Sequence, residues 1–298
     1  MEVQRRRFLF GAAGITAVSL AGCLGSSVAD APSELGELTV GVTTSTYDSG
    51  LLDILHSAFE STYGVTIRSV AGGTGETIAR GKRGDVDVVM AHARSLEDEF
   101  IQSGHGINRR DFTYGDFVVA GPPDDPAGVA DADTASEAFA RIAATESTFL
   151  SRGDNSGTHV KERAIWNDSE ALPAGEWYTE AGLGMGQTLI QAGQRGAYLL
   201  SVRGNYIDLQ DRLDLQLFVD GPVTDGDPML DNPYGVIVVN PARHDVDYEL
   251  GMLYVGFLTG TEGQAIIDEY TINGQQVFYP DGLSADPNFD QYIPSTES

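Results

Sequence analysis

Three short stretches of this chain gather hydroxyl side chains and glycines: Thr43-Thr44-Ser45-Thr46, Gly72-Gly73-Thr74-Gly75, and Ser151-Arg152-Gly153-Asp154-Asn155-Ser156-Gly157-Thr158. A hydroxyl can donate a hydrogen bond, and glycine lets backbone N–H groups come close to a ligand. At the start of a helix the macrodipole adds partial positive charge, so the chemistry such stretches offer is anion binding. Each stretch alone also serves as a plain helix N-cap. Arg152 is the one cation among them, and Asp154 is either its partner or an acceptor for an anion that carries a proton. Many neutral donors with a single arginine suit a small, fully ionised, tetrahedral oxyanion.

Other chemistry is poorly provided for. The histidines are His56, His92, His105, His159 and His244, and no pair of them has the spacing that puts two metal ligands on one helix face. There is no phosphate-binding P-loop and no Gly-x-Ser-x-Gly nucleophile elbow. Ser156 and His159 are spaced as a conceivable nucleophile–base pair, but no third member or oxyanion partner accompanies them. His56 falls inside an amphipathic helix and reads as a partly exposed structural residue. Asp225-Gly226-Asp227 and the acids from Asp208 to Asp214 lack the regular ligand spacing of a calcium loop. Catalytic residues, a resident metal and a cofactor are therefore not expected.

The elements that must position the three stretches can be read from periodicity. Leu38–Val42, Val65–Val70 and Asp85–Met90 are strand-like, and between them Leu51, Leu52, Leu55, Ala58 and Phe59 recur at helical spacing, with a short helix over Thr74–Arg80. Strands alternating with helices imply a parallel α/β sheet. After strand Phe117–Ala120 the alternation restarts: helix Thr134–Ala144, strand Ser147–Ser151, helices Ser156–Asn167 and Gly184–Ala192, and strand Ala197–Leu200. Strand Tyr234–Val239 and two helices, Val246–Thr259 and Thr261–Tyr270, close the pattern. Two α/β lobes joined by extended crossings near Phe117–Gly121 and Asn232–Val238 fit this layout. Lobe I comprises 37–118 and 238–298, and lobe II comprises 119–237. The hydroxyl stretches then converge on the cleft between lobes, at the carboxyl ends of strands.

The 298 residues carry 18 Lys+Arg against 44 Asp+Glu, a net charge of −26. That field disfavours nucleic acid and anionic membrane surfaces as partners. The acids are dispersed, and Lys82 and Lys161 are the only lysines, which suggests a halophilic protein soluble in molar salt. The single cysteine, Cys23, excludes a disulfide framework.

Cys23 has its own context. Arg5-Arg6-Arg7-Phe8-Leu9 is followed by a short small-residue apolar run and Leu20-Ala21-Gly22-Cys23. This reads as a twin-arginine export signal over 1–22 that ends in a lipobox, with lipid attached at Cys23 and a tether over 23–36. Removing 1–22 makes the remaining chain two charges more negative. The protein is then expected on the extracellular face of the membrane, held by its lipid only.

The residues also carry a resemblance. Thr43-Thr-Ser-Thr-Tyr-Asp-Ser-Gly-Leu-Leu, Gly73-Thr-Gly, Gly84-Asp-Val-Asp-Val-Val, Ser151-Arg-Gly-Asp-Asn-Ser-Gly-Thr-His, Trp177-Tyr, Gly184-Met-Gly-Gln-Thr-Leu and Tyr234-Gly-Val-Ile-Val-Val-Asn-Pro, in this order, resemble the tungstate-binding substrate-binding proteins of ABC importers (TupA type). The resemblance spans nearly the whole mature chain. It implies a type II periplasmic-binding-protein fold, no catalysis, a monomer, and an ABC permease as partner. Carried over by motif, it implies an oxyanion held by Thr44, Ser45 and Thr74 from one lobe and Arg152, Ser156, Gly157 and Thr158 from the other. Val42 stands where the family has one more threonine. Protonation separates the candidate anions: phosphate near neutral pH keeps a proton and benefits from a carboxylate acceptor, whereas tungstate and molybdate have none to give. Asp154 is read as orienting Arg152, and the resemblance alone favours tungstate over molybdate. The readings kept beside it are a molybdate- or phosphate-type binder, including one that feeds a sensor, and a lipid-anchored hydrolase using Ser156.

Overall fold

The computed structural model describes residues 36–283 and Gln291. The expected signal sequence over 1–22, Cys23 and all of the expected tether but Gly36 lie outside the described residues. In chain order the elements are β1 (Gly36–Thr43), α1 (Thr44–Tyr47), α2 (Leu51–Tyr63), β2 (Val65–Gly72), α3 (Thr74–Arg83), β3 (Val88–Ala91), α4 (Arg94–Gln102) and β4 (Gly106–Gly121). They continue as α5 (Ala135–Ala144), β5 (Phe149–Ser151), α6 (Gly157–Asp168), β6 (Tyr178–Glu180), α7 (Met185–Arg195), β7 (Leu199–Val202), α8 (Arg203–Leu209), β8 (Gln216–Val219) and β9 (Asp231–Val239). The last are α9 (Tyr248–Thr259), α10 (Thr261–Glu269), β10 (Thr271–Ile272), β11 (Gln275–Gln276) and β12 (Tyr279–Pro280). This is a mixed α/β fold.

The order β12-β4-β9-β3-β1-β2 runs across the main sheet. The βα units β1–β3 pair in parallel, as their helical crossovers demand. β9 then inserts antiparallel between β3 and β4. β4 is 16 residues long, and its far end pairs instead with β7 and β8. One strand thus belongs to two groups of partners, and β9 runs beside it from Asp231 to Val239.

The burial pattern explains why these segments fold as they do. The alternate side chains Leu38, Val40 and Val42 of β1 are fully buried beside Leu51, Leu52, Leu55 and Phe59 of α2. Burying each such side chain contributes about 1.5–3 kcal/mol. A second cluster joins Phe117 and Val119 of β4 to Phe139, Phe149, Ile165, Trp166 and Tyr198. Gly81 lets α3 lie close on the sheet, since a Cβ there would sit 2.6 Å from Val89 Cγ2.

The first half of β4 was not anticipated. The sequence reading gave Asn108-Arg109-Arg110-Asp111 no element, yet Arg109 is 2% exposed and pairs with Glu97 at 2.8 Å and Asp111 at 2.8 Å. A buried charge is tolerated when it is paired in this way. Helices α4 and α8 and strands β6 and β8 were not anticipated either. His56 is more buried than expected: it is 9% exposed, and its Nε2 meets Tyr254 Oη at 2.8 Å.

Candidate oxyanion site

The first hydroxyl stretch does not precede a helix as loop. It is itself the helical turn α1, opened by Thr43, whose Oγ1 lies 2.7 Å from Thr46 Oγ1. Ser45 is buried, and its Oγ is 3.0 Å from His92 Nε2. Thr44 remains partly exposed and lines a cleft of about 510 Å³. Across that cleft stand Arg152, Asp154, Asn155 and the Gly182-Leu183-Gly184 loop.

The second stretch delivers Thr74 to the start of α3 with no exposed surface. Its Oγ1 accepts a hydrogen bond from the backbone N–H of Gly157, at the start of α6, at 2.9 Å. A backbone N–H can only donate, so the Thr74 hydroxyl keeps its own proton for another acceptor. Gly157 must be glycine here: a Cβ would fall 2.6 Å from His92 Cε1.

The third stretch is folded on itself. Ser156 caps α6 by accepting from His159 N–H at 3.4 Å, and its hydroxyl also meets Asp154. Asp154 accepts from Ser156 N–H at 3.1 Å through Oδ1 and from Arg152 Nη2 through Oδ2. Burial alone would raise the Asp154 pKa, but the Ser156 hydrogen bonds and the Arg152 charge hold it below the usual carboxylate range. Gly153 and Asn155 take left-handed backbone, with φ of 61° and 55°. That turn keeps Asp154 folded back toward Arg152.

Arg152 is 2% exposed and donates in two directions. Nε goes to Leu183 C=O at 2.8 Å and Nη2 goes to Asp154. Nη1 is buried with no hydrogen-bond partner among the described residues, and so is Thr158 Oγ1. An unpaired buried donor costs about 1–3 kcal/mol, more when it is charged. Thr158 adjoins Gly157, the residue bonded to Thr74.

All the anticipated residues thus fall in one contiguous region, but their hydroxyls differ. That of Thr158 has no partner among the described residues and that of Thr74 is engaged through its oxygen alone, whereas those of Ser45 and Ser156 have side-chain partners. The pair Ser156–His159 is not arranged as nucleophile and base, because His159 Nδ1 accepts from Asn155 N–H at 3.0 Å. Sequence reading assigned no role to His92, Asn232 or Leu183. His92 Nδ1 lies 2.9 Å from Asn232 Oδ1, on a strand more than a hundred residues away. Only the glycines flanking Leu183 gave a local signal.

Two strand groups sharing β4, with a donor-rich cleft beside them, define a binding protein. The chain belongs to the PBP superfamily, whose domain model matches residues 27–262. It is 50% identical to a putative ABC transporter anion-binding protein of Haloferax volcanii, over 99% of this chain and 91% of that one. It is 35% identical to the tungstate-binding protein TupA of Peptoclostridium acidaminophilum, over 85% of this chain and 90% of the relative. The crystal structure of the tungstate ABC transporter from Geobacter sulfurreducens superposes with a TM-score of 0.71 at 45% identity, covering 78% of this chain and 98% of the other. Within the superfamily the chain is a member of the TupA family.

Proposed function

We propose that this protein captures tungstate and delivers it to an ABC importer. The observation that carries the reading is the pair of buried donors without partners among the described residues, Arg152 Nη1 and Thr158 Oγ1. With Thr74 they offer protons to an anion; of the carboxylates lining the cleft, Glu76 is paired with Arg80. Asp154, the candidate acceptor, already receives Arg152 and Ser156. Such a site favours an oxyanion without a proton, and the names of the relatives favour tungstate over molybdate. In this reading Arg152, Thr158 and Thr74 touch the anion and Thr44 guards the mouth. Gly157 acts through Thr74, Ser156 supports the arginine turn, and Ser45 acts with His92. Lobe I (37–118 and 238–298) and lobe II (119–237) close on the anion, with β4 and β9 as the crossings.

The same reading places the protein outside the cell as a monomer, exported through the twin-arginine signal and anchored by lipid on Cys23. No helix among the described residues is long and apolar enough to cross a membrane. Cys23→Ala should release the protein or block its processing; unchanged membrane retention with normal processing would remove the anchor.

The deciding experiment is a calorimetric competition of tungstate, molybdate, sulfate and phosphate in molar salt. Tungstate should bind tightest and phosphate should not bind. A preference for phosphate would overturn the assignment and make Asp154 its acceptor.

A further inference from the structure

We propose that His92 is a positioning residue for this site: it holds the Ser45 hydroxyl proton while the cleft is empty, and returns that proton to the cleft by taking up one proton of its own as an oxyanion binds. The proposal rests on the oxyanion reading above.

The argument begins with hydrogen-bond polarity. Asn232 Nδ2 donates to Tyr234 Oη at 2.8 Å, which turns Asn232 Oδ1 toward His92 Nδ1 at 2.9 Å. An amide oxygen only accepts, so the ring proton sits on Nδ1. Nε2 then presents a lone pair, and Ser45 Oγ at 3.0 Å donates to it. With its one proton spent on His92, Ser45, next in sequence to the cleft-lining Thr44, has only lone pairs left for an anion, which repel it. A proton added at Nε2 reverses the bond. The ring N–H then donates to Ser45 Oγ, and the Ser45 O–H is released toward the anion. One proton enters from solvent and no heavy-atom bond changes.

The surroundings hold the ring in place for this. His92 stacks on Tyr234 with centroids 5.0 Å apart and an interplanar angle of 21°, and lies near-parallel to Phe117 at 6.3 Å. Gly157 of α6 presses on its Cε1 edge. Arg152 and Lys161 are the cations that oppose its protonation. Arg94 and Asp231 line the small cavity beside it, where Asp231 is paired with Lys161 at 2.6 Å. In the empty protein, burial first, then these cations, against the favourable Asn232 hydrogen bond, bring the His92 pKa down to about 4. A bound dianion offsets the Arg152 field and attracts a ring proton directly; protonation at pH 6 requires that attraction to outweigh burial, the largest cause of the lowering. The rival proton acceptor is Glu162, a carboxyl that burial pushes up to about 7 although Tyr178 donates to it at 2.9 Å.

The test titrates tungstate into the full chain in molar KCl at pH 6 and pH 8, in buffers of different ionisation enthalpy. The 15N shifts of the imidazoles are followed in parallel. Wild type should take up close to one proton per anion at pH 6 and fewer at pH 8. Its Kd should tighten on acidification by up to about tenfold per pH unit, the slope for one linked proton. At pH 6 the His92 ring should be neutral when empty and doubly protonated when loaded. His92→Gln, whose amide can donate to Ser45 without titrating, should bind with no proton uptake and a Kd independent of pH. A loaded His92 that stays neutral at pH 6, or a His92→Gln protein that takes up the same proton, overturns the proposal; the latter result assigns the proton to Glu162. Should wild type prefer molybdate, sulfate or phosphate, the tungstate reading fails and the same measurements with that anion still decide the role of His92. Failure of all four anions to bind overturns both.

Discussion

The backbone N–H of Gly157 donates to Thr74 Oγ1 at 2.9 Å, joining the start of α6 to the start of α3 across 83 positions of sequence. The bond uses the Thr74 oxygen as acceptor and leaves its proton for the cleft. Thr74→Val removes both functions and leaves the Gly157 N–H buried and unpaired. Binding should weaken by about 1–3 kcal/mol, or roughly 5- to 150-fold in Kd. Thr74→Ser should restore most of it. Calorimetry of the two variants checks this, and equal affinity of Thr74→Val and wild type would remove Thr74 from the site.

Arg152 commits two nitrogens to Leu183 and Asp154 and keeps Nη1 without a partner among the described residues, so its loss is expected to be severe. Arg152→Ala should cost about 2–5 kcal/mol of binding, the usual result of truncating one partner of a buried charged pair. That is roughly 30- to several-thousand-fold in Kd. Arg152→Lys should not rescue it, because a lysine is a point charge on a flexible stem and cannot reproduce the planar fork. A lysine variant with wild-type affinity would contradict the geometry.

Asp154→Asn separates the anions. Where Asp154 only orients Arg152, tungstate binding weakens moderately, on the order of tenfold, as one charge-assisted hydrogen bond is lost. Phosphate stays unbound. Selective loss of phosphate binding in the variant would instead make Asp154 an anion acceptor.

His56 gives a pH prediction away from the cleft. Burial, opposed by Glu60 and Asp53, lowers its pKa to about 4 in the folded protein, against an ordinary value of about 6.5. Between those values the unfolded chain binds a proton that the native state does not. Stability is therefore lost as pH falls from about 6.5 toward 4. His92 acts with the same sign in the empty protein. Chemical denaturation of His56→Gln should show a shallower loss over this range than wild type, and identical slopes would exclude His56 as a contributor.

The net charge of −26 makes the fold salt-dependent. Molar salt shortens the Debye length to about 3 Å and relieves self-repulsion. The melting temperature should rise steadily from dilute buffer to molar KCl; a flat response would argue against halophilic adaptation.

Much of this was legible in sequence because the signals are local. The hydrophobic spacing of Leu51, Leu52, Leu55 and Phe59 fixes α2, and the Ser-Arg-Gly-Asp-Asn-Ser-Gly-Thr string marks a loop entering a helix. The first half of β4 was hidden because Arg109 is made acceptable inside the protein by Glu97, which belongs to another element. His92 was hidden for the same reason. Its role depends on Asn232, brought in by β9, and nothing near residue 92 announces that contact. Which hydroxyls keep a free proton was also beyond reach, since that depends on three-dimensional pairing.

The long strand β4 has a consequence for how the chain comes to be folded. Its pairing with β9 matches Gly106 to Val239, so β4 has no such neighbour until most of the polypeptide has been made. Contacts of this sequence separation slow folding, because a long loop must close before any pairing is gained. Meanwhile β4 exposes an open edge and an apolar face that includes Phe112 and Phe117, the kind of surface on which nascent chains stick to one another. A chain threaded outward residue by residue would meet this wait outside the cell, far from ATP-driven chaperones. Crossing the membrane only after the sheet has closed, by the proposed twin-arginine route, would confine the vulnerable interval to the cytoplasm.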